Sequence, residues 1–329
     1  MKIIDYESHF YSDTFFNILC SRTEYPYCED GKKFRKSDDF YTYVNHSLFL
    51  HTEEQVEARL QEMDDCGVSV QVLGTSQGME EIPVAESIEC MKATNDLIYN
   101  LSKKYPNRFL CFGAFPVGDT NAAILEMERC KKELGFIGWM THSNYRRSHI
   151  DEPQYLPLLA AAERLQLPVY IHPNVVTSPR FTGLGHTMAA GAMGYTIDTA
   201  ITIGRLVFMG IFDRFPSLQV ILGHLGEGLP FYLDRMDKRT AAQNADHNFN
   251  KREPSYYFKH NIWVTTSGVF SNPAFECTKA VLGIDRILFG SDYPFESLKA
   301  SVNYVKELEL SESDRAMVCY KNSERLIAL

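Results

Sequence analysis

Six residues with the chemistry of a metal-dependent site stand at or just after the ends of apolar runs: Glu7, His9, His172, His224, Glu227 and Asp292. Glu7 and His9 close the opening run Ile3-Ile4-Asp5-Tyr6 and lie two residues apart. On an extended chain residues i and i+2 point to the same side, so both reach one cation. His172-Pro173 follows Val169-Tyr170-Ile171, His224 follows Val220-Ile221-Leu222-Gly223, and Asp292 follows Ile287-Leu288-Phe289-Gly290-Ser291. Each of these alone reads as readily as a surface carboxylate or a satisfied structural histidine. Their recurrence at four strand ends singles out a site.

Glu7, His9, His172 and Asp292 make a mixed nitrogen and oxygen donor set. Neutral imidazole and carboxylate suit Zn²⁺ or Mn²⁺, with Mg²⁺ admissible where oxygen dominates. No thiolate joins them, which argues against a structural zinc site. The run Phe136-Ile137-Gly138-Trp139-Met140-Thr141-His142 carries no Lys, so no carbamylated lysine is at hand there to bridge two metals. The expectation is one divalent ion. His224 opens Gly223-His224-Leu225-Gly226-Glu227-Gly228-Leu229-Pro230, whose glycines permit a tight turn. Glu227 reaches back to the imidazole from three residues on, fixing its tautomer and raising its pKa as an acid/base group requires. Arg235, about two helical turns after Glu227, is expected to share its face and touch substrate, or else to pair with Asp234 or Asp237 on the helix surface. His142 is a second substrate-binding candidate, with a hydrogen-bonded loop histidine as the alternative.

Convergence needs a scaffold. Eight runs read as strands: Lys2 to Tyr6, Val68 to Gly74, Phe109 to Phe115, Phe136 to Thr141, Val169 to His172, Leu218 to Gly223, Asn261 to Thr266 and Arg286 to Gly290. Nearly continuous apolar strands suit a parallel sheet covered on both sides. Helical signals fall between them. Thr52 with Gln55 forms a capping box, with a stop at Gly67; further helices span 84–104, 119–135, 156–165, 196–212 and 272–282, and one more closes the chain from 311 to 329. This alternation predicts an α/β fold, a (β/α)8 TIM barrel forming one domain over residues 1–329, whose strand ends meet at one rim. An open doubly wound sheet is the alternative, without a GxGxxG after the first strand to bind a dinucleotide. Two connections are long. Residues 11–51 are rich in Tyr and Phe, and 173–196 hold Gly183, Gly185, Gly191 and Gly194; both are lid or pocket-wall candidates, or oligomer contacts.

The totals narrow the class. The 329-residue chain is 45% hydrophobic and carries a formal charge of −9, so it has no basic footprint for nucleic acid. Its eight cysteines show no CxxC pairing and read as reduced thiols. With no signal-peptide pattern and no apolar run of about 18 residues, the expectation is a cytoplasmic protein without a membrane partner.

The Glu7-x-His9 opening, His172-Pro173, the Gly223 to Pro230 run and Gly290-Ser291-Asp292-Tyr293-Pro294-Phe295-Glu296 resemble the amidohydrolase superfamily. Within it they resemble the branch of aminocarboxymuconate-semialdehyde decarboxylase, and more closely γ-resorcylate and 2,3-dihydroxybenzoate decarboxylases. The likeness extends from Ile3 to Leu326. It implies a nonoxidative decarboxylase of an ortho-hydroxybenzoate, a small aromatic carboxylate. The family's metal ligands fall on Glu7, His9, His172 and Asp292, its catalytic dyad on His224 and Glu227, and its proton donor to the ring carbon on Asp292. It also implies a homo-oligomer, a dimer or tetramer. Muconate-semialdehyde decarboxylases carry His-x-His where this chain has Glu7-x-His9, which turns the reading toward hydroxybenzoates. The same residues also suit metal-assisted hydrolysis of a lactone or ester, with Asp292 as general base.

Overall fold

The computed structural model describes residues 1–37, 40–75, 79–176, 185–242 and 250–328. Strand β1 (Ile4–Phe10) opens a barrel, and β2 (Tyr27–Glu29), β3 (Lys33–Arg35) and β4 (Tyr41–Tyr43) follow as a separate antiparallel sheet. The barrel resumes with β5 (Val70–Thr75), β6 (Phe109–Gly113), β7 (Gly138–His142), β8 (Val169–His172), β9 (Val220–Leu222), β10 (Ile262–Thr265) and β11 (Ile287–Leu288). Each barrel strand pairs in parallel with the next. Backbone bonds between β1 and the end of β11 close the ring: Tyr6 N to Phe289 O at 2.8 Å, Asp292 N to Glu7 O at 2.9 Å and His9 N to Tyr293 O at 2.7 Å. This is the expected (β/α)8 barrel.

Alternate side chains fill two cores. Tyr6, Val72, Phe112, Tyr170, Ile221 and Leu288 pack inside the barrel, and the opposite strand faces pack under the helices. Burial on both sides explains the unbroken apolar runs. The strands differ from the sequence reading mainly in extent. Strand β1 runs through Glu7 and His9 to Phe10 instead of ending at Tyr6, with a register shift between Asp5 and Ser8. Strand β11 has only two residues, held in place because Asn322 Nδ2 donates to the carbonyls of Ile284 and Ile287 at 2.9 and 2.8 Å.

The capping box at Thr52 and Gln55 is present, and Gly67 ends that helix at a φ of 79°. The segment expected as one helix over 196–212 is two, Gly194–Phe208 and Ile211–Arg214, parted by Gly210 in the left-handed region. Helices Pro254–His260, before β10, and Leu298–Glu307, after β11, were not picked out in the sequence although Pro254 at the first turn and the Ser297 cap mark their starts. Among the described residues no helix is long and apolar enough to cross a membrane.

The first long connection is an ordered wall. Ser12 caps helix Asp13–Ser21, and Tyr11, Phe15, Leu19, Phe34 and Phe49 form an apolar cluster with Met79, Ile82 and Met91. Residues 38 and 39 of this stretch lie outside the described residues, as do 177–184 of the second long connection, Gly183 among them. In the remainder of that connection Gly185 begins a short helix to Ala189, and Gly194 begins the next.

Candidate metal centre and active site

The two ends of the chain meet at the barrel mouth. One donor atom each from Glu7, His9, His172 and Asp292 lie within 4.8 Å of one another. Glu7 Oε1, both ring nitrogens of His9 and Asp292 Oδ1 are buried without a hydrogen-bond partner, although His9 Nε2 approaches Asp292 Oδ1 to 3.0 Å. Buried polar atoms left bare cost stability unless something satisfies them, and a cation would satisfy Glu7 Oε1, Asp292 Oδ1 and one nitrogen of His9 at once. The residues therefore fit a divalent metal.

Their surroundings leave the right atoms free. Thr265 Oγ1 donates to Glu7 Oε2 at 2.7 Å, so Oε1 is the bare oxygen. His172 Nδ1 donates to the Pro173 carbonyl at 2.9 Å, which fixes the tautomer and presents Nε2 as a lone pair. Burial, followed by the neighbouring His9 and His142, pushes the His172 pKa well below its ordinary value, so it stays neutral as a ligand must. Burial opposes ionisation of Asp292, but His224 and His9 outweigh it and hold the carboxyl well below the usual range. Close approach is needed behind the ligands as well. A Cβ at Gly223 would stand 3.2 Å from both Glu7 Oε1 and Ser267 Oγ.

Beside the ligands lies the acid/base pair. His224 Nδ1 is 2.7 Å from Glu227 Oε1, and His224 Nε2 is 3.9 Å from Asp292 Oδ2. Burial works to lower the His224 pKa, but the Glu227 and Asp292 carboxylates raise it well above its ordinary value. Both carboxylates thus favour the protonated form of the imidazole. An unusual backbone creates this contact. Residues His224, Leu225, Gly226, Glu227 and Gly228 all have positive φ, at 56°, 53°, 85°, 53° and 73°. Non-glycine residues pay about 1–2 kcal/mol each for such a conformation, so packing must hold it. Gly268 is part of that packing; a Cβ there would come within 2.8 Å of His224 Cδ2.

A cavity of 330 Å³ opens from the ligands toward the wall formed by residues 11–51. Phe15, Phe34 and Phe40 line its outer side, and His172, His224 and Asp292 its inner end. Phe295 completes it, with its ring 5.5 Å from that of His9.

Of the two expected substrate-binding residues, His142 stands beside the ligand set and Arg235 lies on a separate helix. Arg235 is exposed on helix Leu229–Ala242, in a shallow groove with Phe208, Tyr232 and Arg239, and does not line the cavity of its own chain. Counting two turns from Glu227 assumed one continuous helix, and the left-handed run through Gly228 resets the phase. His142 is buried at the end of β7, its Nδ1 2.7 Å from Glu80 Oε1 and its ring 5.6 Å from that of His172. Its Nε2 is buried without a partner. Sequence reasoning missed the hydroxyl layer of Thr265, Ser267 and Ser291, although Thr265-Thr266-Ser267 follows the seventh strand as the ligands follow theirs. It also gave no role to Asp5, Lys36 or Glu296.

Ligand-type side chains gathered at the C-terminal mouth of a TIM barrel define the amidohydrolase class, and the chain belongs to the amidohydrolase family, whose model matches residues 48–329. It is 32% identical over 302 residues to a γ-resorcylate decarboxylase from Rhizobium sp., covering 88% of this chain and 91% of that one. Among solved structures it resembles a 5-carboxyvanillate decarboxylase from Sphingomonas paucimobilis, with a TM-score of 0.88 and 27% identity over 100% of this chain and 99% of that one. It also resembles a dihydroxybenzoic acid decarboxylase from Polaromonas sp. with bound manganese and the inhibitor 2-nitroresorcinol, with a TM-score of 0.83 and 28% identity over 100% and 97% of the two chains.

Proposed function

We propose that this protein is a nonoxidative decarboxylase of an ortho-hydroxybenzoate, acting with one divalent ion. The observation that carries the reading is Asp292, shared between a set of bare ligand atoms and the hydrogen-bonded His224–Glu227 pair. The likeness to γ-resorcylate and dihydroxybenzoic acid decarboxylases supports it over lactone or ester hydrolysis. Manganese in the Polaromonas structure favours Mn²⁺ over Zn²⁺ or Mg²⁺.

Glu7, His9, His172 and Asp292 would hold the ion, which when bound supplies Lewis-acid stabilisation to the substrate's carboxylate and ortho-oxygen. The residues do the rest. Phe15, Phe34, Phe40 and Phe295 exclude water and keep the ring in one plane. His224 Nε2 passes its proton to Asp292 Oδ2, 3.9 Å away, and Asp292 places it on the ring carbon that bears the carboxylate; the bond to the carboxyl breaks, and carbon dioxide leaves as the ring regains aromaticity. Glu227 steadies the charge on His224, which takes its next proton from solvent. His142 Nε2 is a further polar contact for substrate in this reading. Assembly into a dimer or tetramer also belongs to it, and exposed Phe231 and Tyr232 are in keeping with that.

Manganese-loaded protein given 2,6- or 2,3-dihydroxybenzoate is expected to release carbon dioxide and the matching phenol. A panel of hydroxybenzoates left untouched, with a carboxylated lactone opened instead, overturns the reading.

A further inference from the structure

The cavity's charges beyond the ligand and acid/base residues are few. Lys36, just after β3, lines the wall, but its Nζ lies 3.2 Å from Glu81 Oε1 and 2.6 Å from Asn174 Oδ1. Its positive charge is already answered. Glu296 stands differently. It lines the cavity one turn beyond Asp292, its backbone N–H donating to the Asp292 carbonyl at 3.1 Å. Among the described residues its carboxylate makes no ion pair or hydrogen bond. An exposed carboxylate without a side-chain partner among the described residues thus stands in the cavity lining.

Resting on the decarboxylase reading, we propose that Glu296 selects the substituents of the aryl acid. It accepts a hydrogen bond from a ring hydroxyl and turns away a second carboxylate. The metal-type ligands can engage one carboxylate with its ortho-oxygen, and the wall offers no uncompensated cation among the described residues for another. Glu296 is exposed, so water screens the repulsion in part, but like charges brought together at the cavity rim still work against the wrong acid. The substrate class is then a hydroxylated aromatic monocarboxylate. The distinction divides the similar proteins themselves, since 5-carboxyvanillate has two carboxylates and dihydroxybenzoates have one.

The test uses 2,3-dihydroxybenzoate and 2-hydroxyisophthalate, which differ only by a hydroxyl exchanged for a carboxylate. With manganese-loaded wild type, kcat/KM is expected to favour the dihydroxy acid by at least about tenfold. In Glu296→Gln that ratio should narrow by about tenfold, chiefly through a lower KM for the diacid. A wild type that takes both acids equally, or a ratio unchanged in the variant, overturns the assignment. Calorimetric binding of the same pair separates the two failures. If neither acid is turned over but the diacid binds at least about tenfold more tightly to Glu296→Gln than to wild type, the decarboxylase reading fails and Glu296 keeps its role. If neither acid binds, both fall.

Discussion

The Asp5 carboxylate holds Ser291 twice, accepting from its backbone N–H at 2.9 Å and from its hydroxyl at 2.6 Å across 286 positions of sequence. The same carboxylate accepts from Gln71 Nε2 at 3.0 Å and the Glu7 N–H at 3.3 Å. It therefore clasps the strand that carries Glu7 and His9 to the residue before Asp292.

Replacing Asp5 with Ala strands those donors in a buried place, at a cost of about 3 kcal/mol. Melting should fall by roughly 6 °C. Asp5→Asn keeps the shape but loses the charge and one acceptor, and metal affinity is expected to weaken about tenfold while the fold persists. Metal titration followed by thermal melts of the loaded and stripped forms checks both.

Loss of a ligand should act differently. His172→Ala is expected to purify with less than stoichiometric metal and without decarboxylase activity. Wild type in metal at about 100 times its Kd should gain about 2.7 kcal/mol of stability, and the variant much less. Elemental analysis with denaturant melts measures this, and an unchanged metal content would remove His172 from the ligand set.

The acid/base pair separates from the ligands by the same assay. Glu227→Gln and His224→Asn should each lower kcat by about 10² to 10⁴-fold with metal retained. Asp292→Asn should lose activity and weaken metal binding together. Metal loss in the His224 variant would mean that its role is coordination.

A pH effect is expected at the wall. Burial works to raise the Glu81 pKa, but Lys36 and Asn174 outweigh it, so the carboxyl titrates below its ordinary value. A depressed folded pKa adds stability above the unfolded value of 4.5 and loses it as pH falls through the folded one. Glu81→Gln should therefore cost about 3 kcal/mol at neutral pH, since it takes the Glu81 charge away from Lys36. The gap from wild type should shrink in acid. Urea melts at pH 7 and at pH 4 or below read it directly.

Much of this was legible in the sequence because strand ends are marked twice. The apolar run announces the strand, and the first polar residue after it names the chemistry, as with Ile171-His172 and Gly290-Ser291-Asp292. Register between distant strands leaves no such mark. Nothing local ties Asp5 to Ser291, and Thr265 looks like an ordinary strand residue until barrel closure brings it to Glu7. The left-handed turn hides where Arg235 falls relative to Glu227 for a related reason, since helical spacing cannot be counted across a break in handedness. The small β2–β3–β4 sheet, with strands of three residues, is too short for its alternation to be read.

The wall and the barrel mouth are separate pieces of chain. The insertion packs its aromatic cluster against Met79, Ile82 and Met91 and reaches the rim through ties such as Lys36 to Asn174, while every metal-type ligand stands on the barrel. Recognition and reaction can consequently drift apart under mutation. A different 11–51 segment grafted onto the same eight strands would change which ring is admitted and leave the bond-breaking machinery intact.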